Sequence, residues 1–494
     1  MPSRGTVCAV RAPVRRWTLL VLILALVTAS CGGGAGDDTQ QVESNFTPPR
    51  TYEDLDLSGN PICGVEEGGK DEFTVDCVQA LTRLRQLKTL KLRQVALCGQ
   101  AADGNGSYQG RAIDVFTGML KNSSLTELDI GACKVQLGEA QTLAQSLGGL
   151  KKLVLDQMTL NMVLYRETDA LFLTDIFSEA DAVVIASQLK SNTSLTSLNL
   201  SGRVPLVKEI KVLSDGIAGC VFPLRELDVS GRKVGAEVIA ALLHALKDCN
   251  GRLTSINLNA TAKGTEGMPS PLVNQITGML KDSVRSLLLG YNGPWPEESG
   301  RELVSALGSA SCVVENIDVS GSEISAADAV QIVTTSGTLM QLNLNGDWTN
   351  SMKLHDLRSG ESVSTSGKVL TDAEAAVIGA MLKANSVLTR LDLTGSSCTE
   401  EGLRLISEAV GASTAPLAEL LLEGLSHGPG EIGVAARLTA LVEGACRPSL
   451  RAVDCSKQAG TAASAPGESV LFYGEDEGVA PSLCKLMASA DNSL

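Results

Sequence analysis

The segment Gly-Pro-Gly-Glu-Ile-Gly at 428–433 has the spacing that could hold a cofactor. Its glycines match the Gly-x-Gly-x-x-Gly of a dinucleotide-binding turn, and it lies between a strand pattern and a helical pattern, as such a turn does. Pro429, however, has no N–H with which the backbone would donate to a phosphate. Strand–turn–helix units recur along the whole chain, so the segment is interpreted as one more of them, and no cofactor is expected.

The sequence also offers no set of residues suited to acid–base catalysis, nucleophilic catalysis or metal binding. The three histidines, His244, His355 and His427, fall in different repeats, so no Ser/His/Asp or Cys/His arrangement can be assembled. No Cys-x-x-Cys pair occurs, which leaves a zinc or redox site without support. The sequence therefore predicts a protein without catalysis and without a bound metal.

The thirteen cysteines include Cys8 and Cys31 near the N-terminus, and 13 − 2 leaves eleven, so at least one is unpaired. Cys63 and Cys77 bracket a Gly-rich loop at the start of the repeats. We expect a disulfide between them, because closing a loop of about 15 residues stabilises a fold by ~3 kcal/mol in the entropic model.

The N-terminus has the pattern of an export signal. Arginines precede an apolar run at 17–27, and small residues follow at 28–30. This predicts a signal peptide at 1–30, a flexible tether at 31–50, and a secreted or cell-surface protein. The segment 27–38 resembles a bacterial lipoprotein signal, which implies a lipid on Cys31, although Thr28 stands where that family usually has Leu.

A plain secretory cleavage near Ser30 is the alternative, and a eukaryotic secreted protein would suit the Asn-x-Ser/Thr sequons. These candidate glycosylation sites are Asn45, Asn105, Asn122, Asn192, Asn199 and Asn259.

The charge of the chain restricts its partners. The net charge is −15, and a nucleic-acid binder would need a basic face to neutralise phosphates. We therefore expect a protein partner, no nucleic acid, and a membrane only through the N-terminal anchor. Aromatic residues make up 3% of the chain, so the core must be mostly aliphatic.

One octet, Leu-x-x-Leu-x-Leu followed by two small or polar residues, returns along the chain, as in 224–231 and 388–395. Its apolar positions alternate as in a strand with one buried face, and helical patterns follow it at 235–247 and 400–410. The octets start at 52, 87, 125, 150, 195, 224, 253, 284, 314, 339, 388, 417 and 450. Such a period predicts about 13 stacked repeats over residues 51–494, each stable only beside its neighbours.

This pattern resembles the ribonuclease-inhibitor-like class of leucine-rich repeats. The resemblance implies an α/β solenoid shaped as a horseshoe, with parallel strands on the concave side and helices on the convex side. The class usually has Asn or Cys at repeat position 9. Asn60, Cys133 and Asn292 keep it, whereas the repeats with Arg203, Arg232, Thr261 and Asp347 need other partners for the turn.

Two surfaces are candidates for the partner. The residue between the last two apolar positions of each octet is mostly Asp or Asn, and this polar strand face is either a solvated ladder or a surface for cations and basic ligands. The aromatic residues lie mostly in the long steps between octets, which we expect to form a rim of strand-to-helix loops. The predicted partner-binding residues are Tyr165, Phe172, Tyr291, Trp295 and Trp348.

The predicted function is therefore recognition or adhesion by an exported repeat scaffold. An inhibitor or regulator of a secreted enzyme is the alternative. A helper of a partner's GTPase activity is a second alternative if the N-terminal pattern is not a true signal.

Overall fold

The computed structural model describes residues 7–9, 53–65, 73–101, 106–155, 158–247, 253–262, 267–280, 283–322, 324–346, 351–422, 426–427, 452–454 and 471–473. They form two compact units, one of residues 1–225 with 238–251 and one of residues 226–237 with 252–494. The predicted cleavage site, Cys31 and the tether lie outside the described residues.

Each of the thirteen predicted octets contains a strand of three residues. In chain order the strands are β1 (Val7–Ala9), β2 (Asp54–Asp56), β3 (Thr89–Lys91), β4 (Glu127–Asp129), β5 (Lys152–Val154), β6 (Thr159–Asn161), β7 (Ala170–Phe172), β8 (Ser197–Asn199), β9 (Glu226–Asp228), β10 (Ser255–Asn257), β11 (Ser286–Leu288), β12 (Asn316–Asp318), β13 (Gln341–Asn343), β14 (Met352–Lys353), β15 (Ser362–Ser364), β16 (Val369–Leu370), β17 (Arg390–Asp392), β18 (Ser397–Cys398), β19 (Glu419–Leu421), β20 (Ser426–His427), β21 (Ala452–Asp454) and β22 (Leu471–Tyr473).

Helices follow the strands, as the periodicity predicts. They are α1 (Asp76–Leu81), α2 (Arg111–Lys121), α3 (Leu137–Ala144), α4 (Met162–Glu167), α5 (Glu179–Leu189), α6 (Val207–Ile217), α7 (Ala236–Ala245), α8 (Ser270–Met279), α9 (Glu297–Leu307), α10 (Ala326–Thr335), α11 (Leu354–Ser359), α12 (Asp372–Ala384) and α13 (Glu400–Ala412). Among the described residues, no helix has both the length and the apolar composition needed to cross a membrane.

Except at two interruptions, the strands of successive octets pair in parallel, with the middle apolar residues in register. In the first unit Leu55 is opposite Leu90, and Leu90 is opposite Leu128. In the second unit Leu227, Ile256 and Leu287 are matched in the same way. These side chains are buried, and so are residues of the apolar helix stripes such as Leu242 and Leu243 of α7. The α/β leucine-rich-repeat fold is thus confirmed.

One backbone feature repeats at the end of these strands. In ten repeats the third residue after the strand has a positive φ, between 54° and 87°. In six of these the N–H donates to a carbonyl of the next repeat, as Gly59 does to Arg93 at 2.9 Å and Gly231 to Asn259 at 2.8 Å. The positions are Gly59, Gln94, Ala132, Gly231, Ala260, Tyr291, Gly321, Gly346, Gly367 and Gly395. Glycine adopts this left-handed conformation without strain, so most repeats use it.

The next residue holds the turn by side-chain hydrogen bonds. Asn292 donates to the carbonyls of Leu258 and Leu289 at 2.9 Å and 2.8 Å and accepts from the N–H of Thr261. Thr261, where the usual Asn is lost, donates its hydroxyl to the Leu258 carbonyl instead. Arg232 is fully buried at the equivalent position, and Asp347 lies outside the described residues.

The sequence analysis missed two parallel strands, β7 and β15. Both lie inside the long steps from 150 to 195 and from 339 to 388, which were interpreted as loops. β7 pairs with β8, and β15 pairs with β17, in the same register as the other repeats. Their octets lack the first apolar residue, which is Thr168 in one and Gly360 in the other, so the pattern does not detect them.

Candidate functional site

The Asp and Asn residues of the polar strand face fix the turn that follows each strand. In seven strands the carboxylate or amide oxygen accepts the backbone N–H two residues later, at 2.8–3.2 Å. They are Asp56, Asp129, Asn199, Asp228, Asn257, Asp318 and Asp392. Only a short side chain with an acceptor reaches this N–H, which explains why Asp and Asn recur.

The second oxygen of these carboxylates is often used across the strands. Asp228 accepts from the amide of Asn257 at 3.1 Å, and Asp318 accepts from Asn259 at 3.0 Å. A lysine of this face also pairs with an acid of the neighbouring strand, Lys152 of β5 with Glu127 of β4 at 3.8 Å. Among the described residues no group of three or more acidic, His or Cys side chains is arranged to hold a metal ion. The contacts favour the solvated ladder over the cation surface.

The parallel ladder is interrupted twice, and the first interruption, residues 158–178, is called the first junction. β6 pairs antiparallel with β5, the short helix α4 follows, and β7 then pairs in parallel with β8. Arg166 of α4 donates to the carbonyls of Leu147 at 2.8 Å and Gly148 at 3.1 Å, which lie just beyond the end of α3, and to the side chain of Gln188. A guanidinium satisfies several such carbonyls at once because its donors form a planar fork.

The second interruption, residues 351–371, repeats this arrangement and is called the second junction. β14 pairs antiparallel with β13, α11 follows, and β15 pairs in parallel with β17. Arg358 donates to the carbonyls of Val333, Ser336 and Leu339 at 2.6 Å, 2.9 Å and 3.0 Å. Burial lowers the pKa of Arg358.

Each junction is joined to the following helix by a buried asparagine. Asn192 donates to the carbonyls of Tyr165 and Thr168 at 3.0 Å and 2.9 Å and accepts the N–H of Leu195. Asn385 in the same way donates to the carbonyls of Leu357 and Gly360 and accepts the N–H of Leu388. Both helices also begin with a capping box, Ser178 with Asp181 and Thr371 with Glu374. The two junctions are therefore copies of one local structure.

Two acidic groups of the first junction lie in its interior. Asp181 is fully buried, and burial raises its pKa, although hydrogen bonds from Ser178 lower it in part. Burial, and next the negative charge of Asp181, raise the pKa of Tyr165 to about 12. Burial disfavours the charged form of both groups, so the ionisation of Asp181 and Tyr165 is coupled to folding at this junction.

Exposed apolar side chains are concentrated at and after the first junction. Ten large hydrophobic side chains are exposed among the described residues, and five of them fall within residues 164–207. These five, called the apolar patch, are Leu164, Phe172, Ile176, Val204 and Val207. Ile176 and Val204 occupy the strand-to-helix loops of two adjacent repeats, and Phe172 replaces the Asp or Asn of the polar strand face.

The predicted partner-binding residues differ in their exposure and in the elements on which they lie. Tyr165 is only 4% exposed, so its prediction as a contact residue is wrong; its ring packs inside the first junction. Phe172 is 65% exposed but lies on β7 and not in a rim loop. Tyr291 is 54% exposed, Trp295 is half-buried, and Trp348 lies outside the described residues.

Tyr291 occupies the left-handed turn position that most repeats give to glycine, with a φ of 58°. Its ring lies against Gly321 and Gly346 of the next two repeats, where a Cβ would collide with the ring. A bulky residue at positive φ is uncommon and costs about 1–3 kcal/mol, so an exposed one is a reason to suspect function. Tyr291 is therefore a candidate contact residue in addition to those of the apolar patch.

The predicted disulfide between Cys63 and Cys77 is absent from the structure, where both are buried thiols. Burial raises the pKa of the Cys63 thiol, and the proximity of Cys133, Cys77 and Cys98 adds to this. The four sulfurs belong to the interior of the first repeats, so a thiolate there is disfavoured and its reactivity is low.

The candidate glycosylation sites differ in how accessible their side chains are. Asn192 cannot carry a glycan in the folded chain, because it is 2% exposed and both sides of its amide are hydrogen-bonded. Asn259 donates its amide to Asp318, whereas Asn122 is exposed at the end of α2. Asn199 is half-buried, and Asn45 and Asn105 lie outside the described residues.

Comparisons with known proteins give distant similarities only. No family model matches the chain, and no curated protein matches it. Among solved structures, a chain of the Rad7–Elc1 complex from yeast is 13% identical over 72% of this chain and 81% of its own, with a TM-score of 0.27.

Two further solved structures are similar at the same level of sequence identity. LegL7 from Legionella pneumophila, a leucine-rich repeat-containing protein, is 15% identical over 76% of this chain and 96% of its own, with a TM-score of 0.23. TLR13, solved in a complex with ssRNA13, is 15% identical over 82% of this chain and 53% of its own, with a TM-score of 0.28. The fold assignment therefore depends on the register and turns of the chain itself.

Proposed function

We propose that this chain is an exported scaffold that binds a partner protein through the apolar patch and performs no chemistry of its own. The observation that carries the proposal is the concentration of exposed apolar side chains between Leu164 and Val207. A local concentration of exposed apolar side chains is typical of protein interaction sites, and an aromatic ring buried against a partner contributes ~2 kcal/mol or more to binding. The polar strand face, occupied by its own hydrogen bonds, would contribute orientation.

Export is supported by the N-terminal pattern of basic, apolar and small residues. Intact mass of the native protein tests it. A mature chain that begins at Cys31 with an added acyl mass would support the lipoprotein form, and one that begins at Met1 would contradict export by cleavage.

Binding is tested by cross-linking on the native surface, followed by mass spectrometry. The wild-type chain is compared with a variant that carries Phe172→Ser, Ile176→Ser and Val204→Ser. The matched control carries Met340→Ser and Val387→Ser, two exposed apolar residues outside the patch. We expect a partner that cross-links to the wild-type and control chains and is lost from the patch variant.

One result would contradict this proposal. If all three chains, folded by circular dichroism, retain the same partners, the apolar patch is not the binding surface.

A further inference from the structure

The turns that follow β2 and β3 have the same backbone hydrogen bonds, displaced by 35 residues along the chain. Leu55 of β2 is opposite Leu90 of β3, and the two are 35 residues apart. Gly64 and Gly99 are also 35 residues apart, and each donates its N–H to the carbonyl three residues earlier, at 2.9 Å and 3.0 Å. Both glycines have a φ of 78°. The register of the two strands therefore continues through both turns.

Cys63 and Cys98 directly precede these glycines, so they occupy the same position in two neighbouring repeats. The Cys63 carbonyl accepts the N–H of Thr74 at 2.9 Å, and the Cys98 carbonyl accepts the N–H of Gln109 at 2.8 Å. Matched positions of neighbouring strands are separated by ~4.8 Å, which lies within the range of about 4.4–6.8 Å between the Cα atoms of a disulfide. Because the register continues to Cys63 and Cys98, their backbone has the spacing that a disulfide requires.

Two other cysteines lie in the same interior but at unmatched positions. Cys77 belongs to α1, and Cys133 holds the turn after β4 by donating its thiol to the Leu92 carbonyl at 3.1 Å. All four cysteines are thiols in the structure, and each is at most 1% exposed. The matched backbone position therefore distinguishes Cys98 as the partner of Cys63.

We propose that Cys63 and Cys98 form a disulfide when the chain folds in an oxidising compartment, and that this disulfide makes the stability of the first two repeats depend on redox conditions. The structure represents the reduced state. The inference goes beyond the binding proposed above, and it depends on export only for the place where the chain meets an oxidant.

The oxidant is a disulfide of the glutathione class. One cysteine thiolate attacks the glutathione disulfide, which forms a mixed disulfide and releases one glutathione thiolate. The second cysteine thiolate then displaces the other glutathione. Two protein thiols are oxidised to one disulfide, one glutathione disulfide is reduced to two glutathione molecules, and the two cysteine protons pass to the released thiolates.

Complete burial determines when this exchange takes place. The thiolate is the nucleophile, and Cys63 and Cys98 are both 0% exposed in the folded chain. The disulfide should therefore form while the first repeats are still open during folding. Glutathione disulfide added to the folded, reduced chain should react only as fast as these repeats open.

Oxidative refolding of the full-length chain tests the proposal without any dependence on export. The reduced, unfolded chain is refolded in a mixture of oxidised and reduced glutathione until its circular dichroism matches that of the reduced folded chain. Remaining thiols are alkylated in denaturant without reductant, and the peptides are identified by mass spectrometry. We expect a peptide pair linked through Cys63 and Cys98 in most molecules, with Cys77 and Cys133 alkylated.

Two variants sharpen this result. Cys98→Ala should leave Cys63 alkylated, whereas the matched control Cys220→Ala, which removes a buried cysteine of another repeat, should keep the linked peptide. Amide exchange of β2 and β3 should be slower by about tenfold or more in the oxidised chain than in the chain refolded without oxidant. In Cys98→Ala the oxidant should leave this exchange unchanged.

Three outcomes would overturn the proposal. Both Cys63 and Cys98 are alkylated after oxidative refolding, Cys63 is linked to Cys77 or Cys133 instead, or the exchange of β2 and β3 is the same in the oxidised and reduced chains.

Discussion

The two junctions share a buried framework and differ in what they expose. Asn192 and Asn385 bind equivalent backbone carbonyls, and Arg166 and Arg358 share one equivalent acceptor, the carbonyl of Leu147 in the first junction and of Leu339 in the second. On the surface, however, Leu164 and Phe172 of the first junction correspond to Asp356 and Ser364 of the second. The former pair is exposed and apolar, and the latter pair is exposed and polar; the one exposed large hydrophobic side chain described in the second junction is Val369.

The difference between the two junctions distinguishes residues that stabilise the fold from residues that are available to bind a partner. A polar group whose partners are buried carbonyls is retained because losing it leaves those carbonyls unsatisfied. An exposed apolar side chain has no such role in the fold, so its presence in one copy only indicates a surface adapted to a partner. The comparison assigns the arginines and asparagines to stability and the apolar patch to binding.

Removal of a junction arginine should have the largest effect. Arg358→Met leaves three buried carbonyls without a donor, and at about 1–3 kcal/mol for each unsatisfied group we expect a loss of ~3 kcal/mol or more. Arg166→Met should cost less, since it binds two carbonyls and one side chain. Amide hydrogen exchange of the flanking strands measures the local loss, because a long repeat array does not unfold in two states.

The matched control is Arg358→Lys, which keeps the charge and loses the fork. It should recover part of the stability of the wild type. Equal exchange rates in Arg358→Met and the wild type would show that the framework is not what holds the second junction together.

These networks mark the limit of what the sequence predicts. All thirteen octets were correct because Leu-x-x-Leu-x-Leu is a local pattern and each strand buries its own leucines. β7 and β15 were missed because Thr168 and Gly360 remove the first apolar residue of the pattern, and Tyr165 was placed on a rim that is in fact a junction interior.

A signal for the junctions does exist in the chain. The spacing of Arg, of the Ser/Thr cap and of Asn is closely similar at 166, 178 and 192 and at 358, 371 and 385. Alignment of the two long steps with each other would have found the duplication. The acceptors of each arginine would still be hidden, because they are backbone carbonyls about 18–25 residues earlier, and every residue type has a carbonyl.

The second prediction concerns the pH dependence of the capping box in the first junction. Because the pKa of Asp181 is raised in the folded state, the folded chain holds this proton more tightly than the unfolded chain. Its contribution to stability is therefore greatest below the unfolded pKa near 3.8, falls as the pH rises towards the folded pKa, and is constant above it. We expect Asp181→Asn to flatten this part of the stability profile.

The measurement is hydrogen exchange or urea denaturation of the wild type and of Asp181→Asn at several values of pH, since the difference between the two curves isolates one group. Asparagine keeps the oxygen that accepts from Ser178, so the cap itself is preserved. Parallel curves for the two chains would show that Asp181 does not couple folding to pH.

An exchange of surface residues between the junctions should change stability little and binding greatly. Phe172→Ser combined with Ser364→Phe alters exposed side chains only, and we expect a change in stability of about 0.5 kcal/mol or less. Affinity for a partner identified by cross-linking should fall about tenfold or more, because Phe172 is lost from the patch. Calorimetry or surface plasmon resonance measures it, with Phe172→Tyr as a control that keeps the ring.

A small change in stability is also expected at Tyr291, which belongs to neither junction. Glycine in its place removes a left-handed strain of about 1–2 kcal/mol but also the contact of the ring with the next two repeats, so the two effects offset and we expect a net change within ~1 kcal/mol. Gly346→Ala gives the contrast. The new Cβ would collide with the Tyr291 ring, and the φ of 87° is unfavourable for alanine. The substitution should therefore destabilise the turn by about 1 kcal/mol or more. If Tyr291→Gly leaves partner binding unchanged while the patch variant abolishes it, recognition is confined to the region of the first junction. If both weaken binding, the strained tyrosine is part of the same interaction, and a repeat without a junction has also been adapted to the partner.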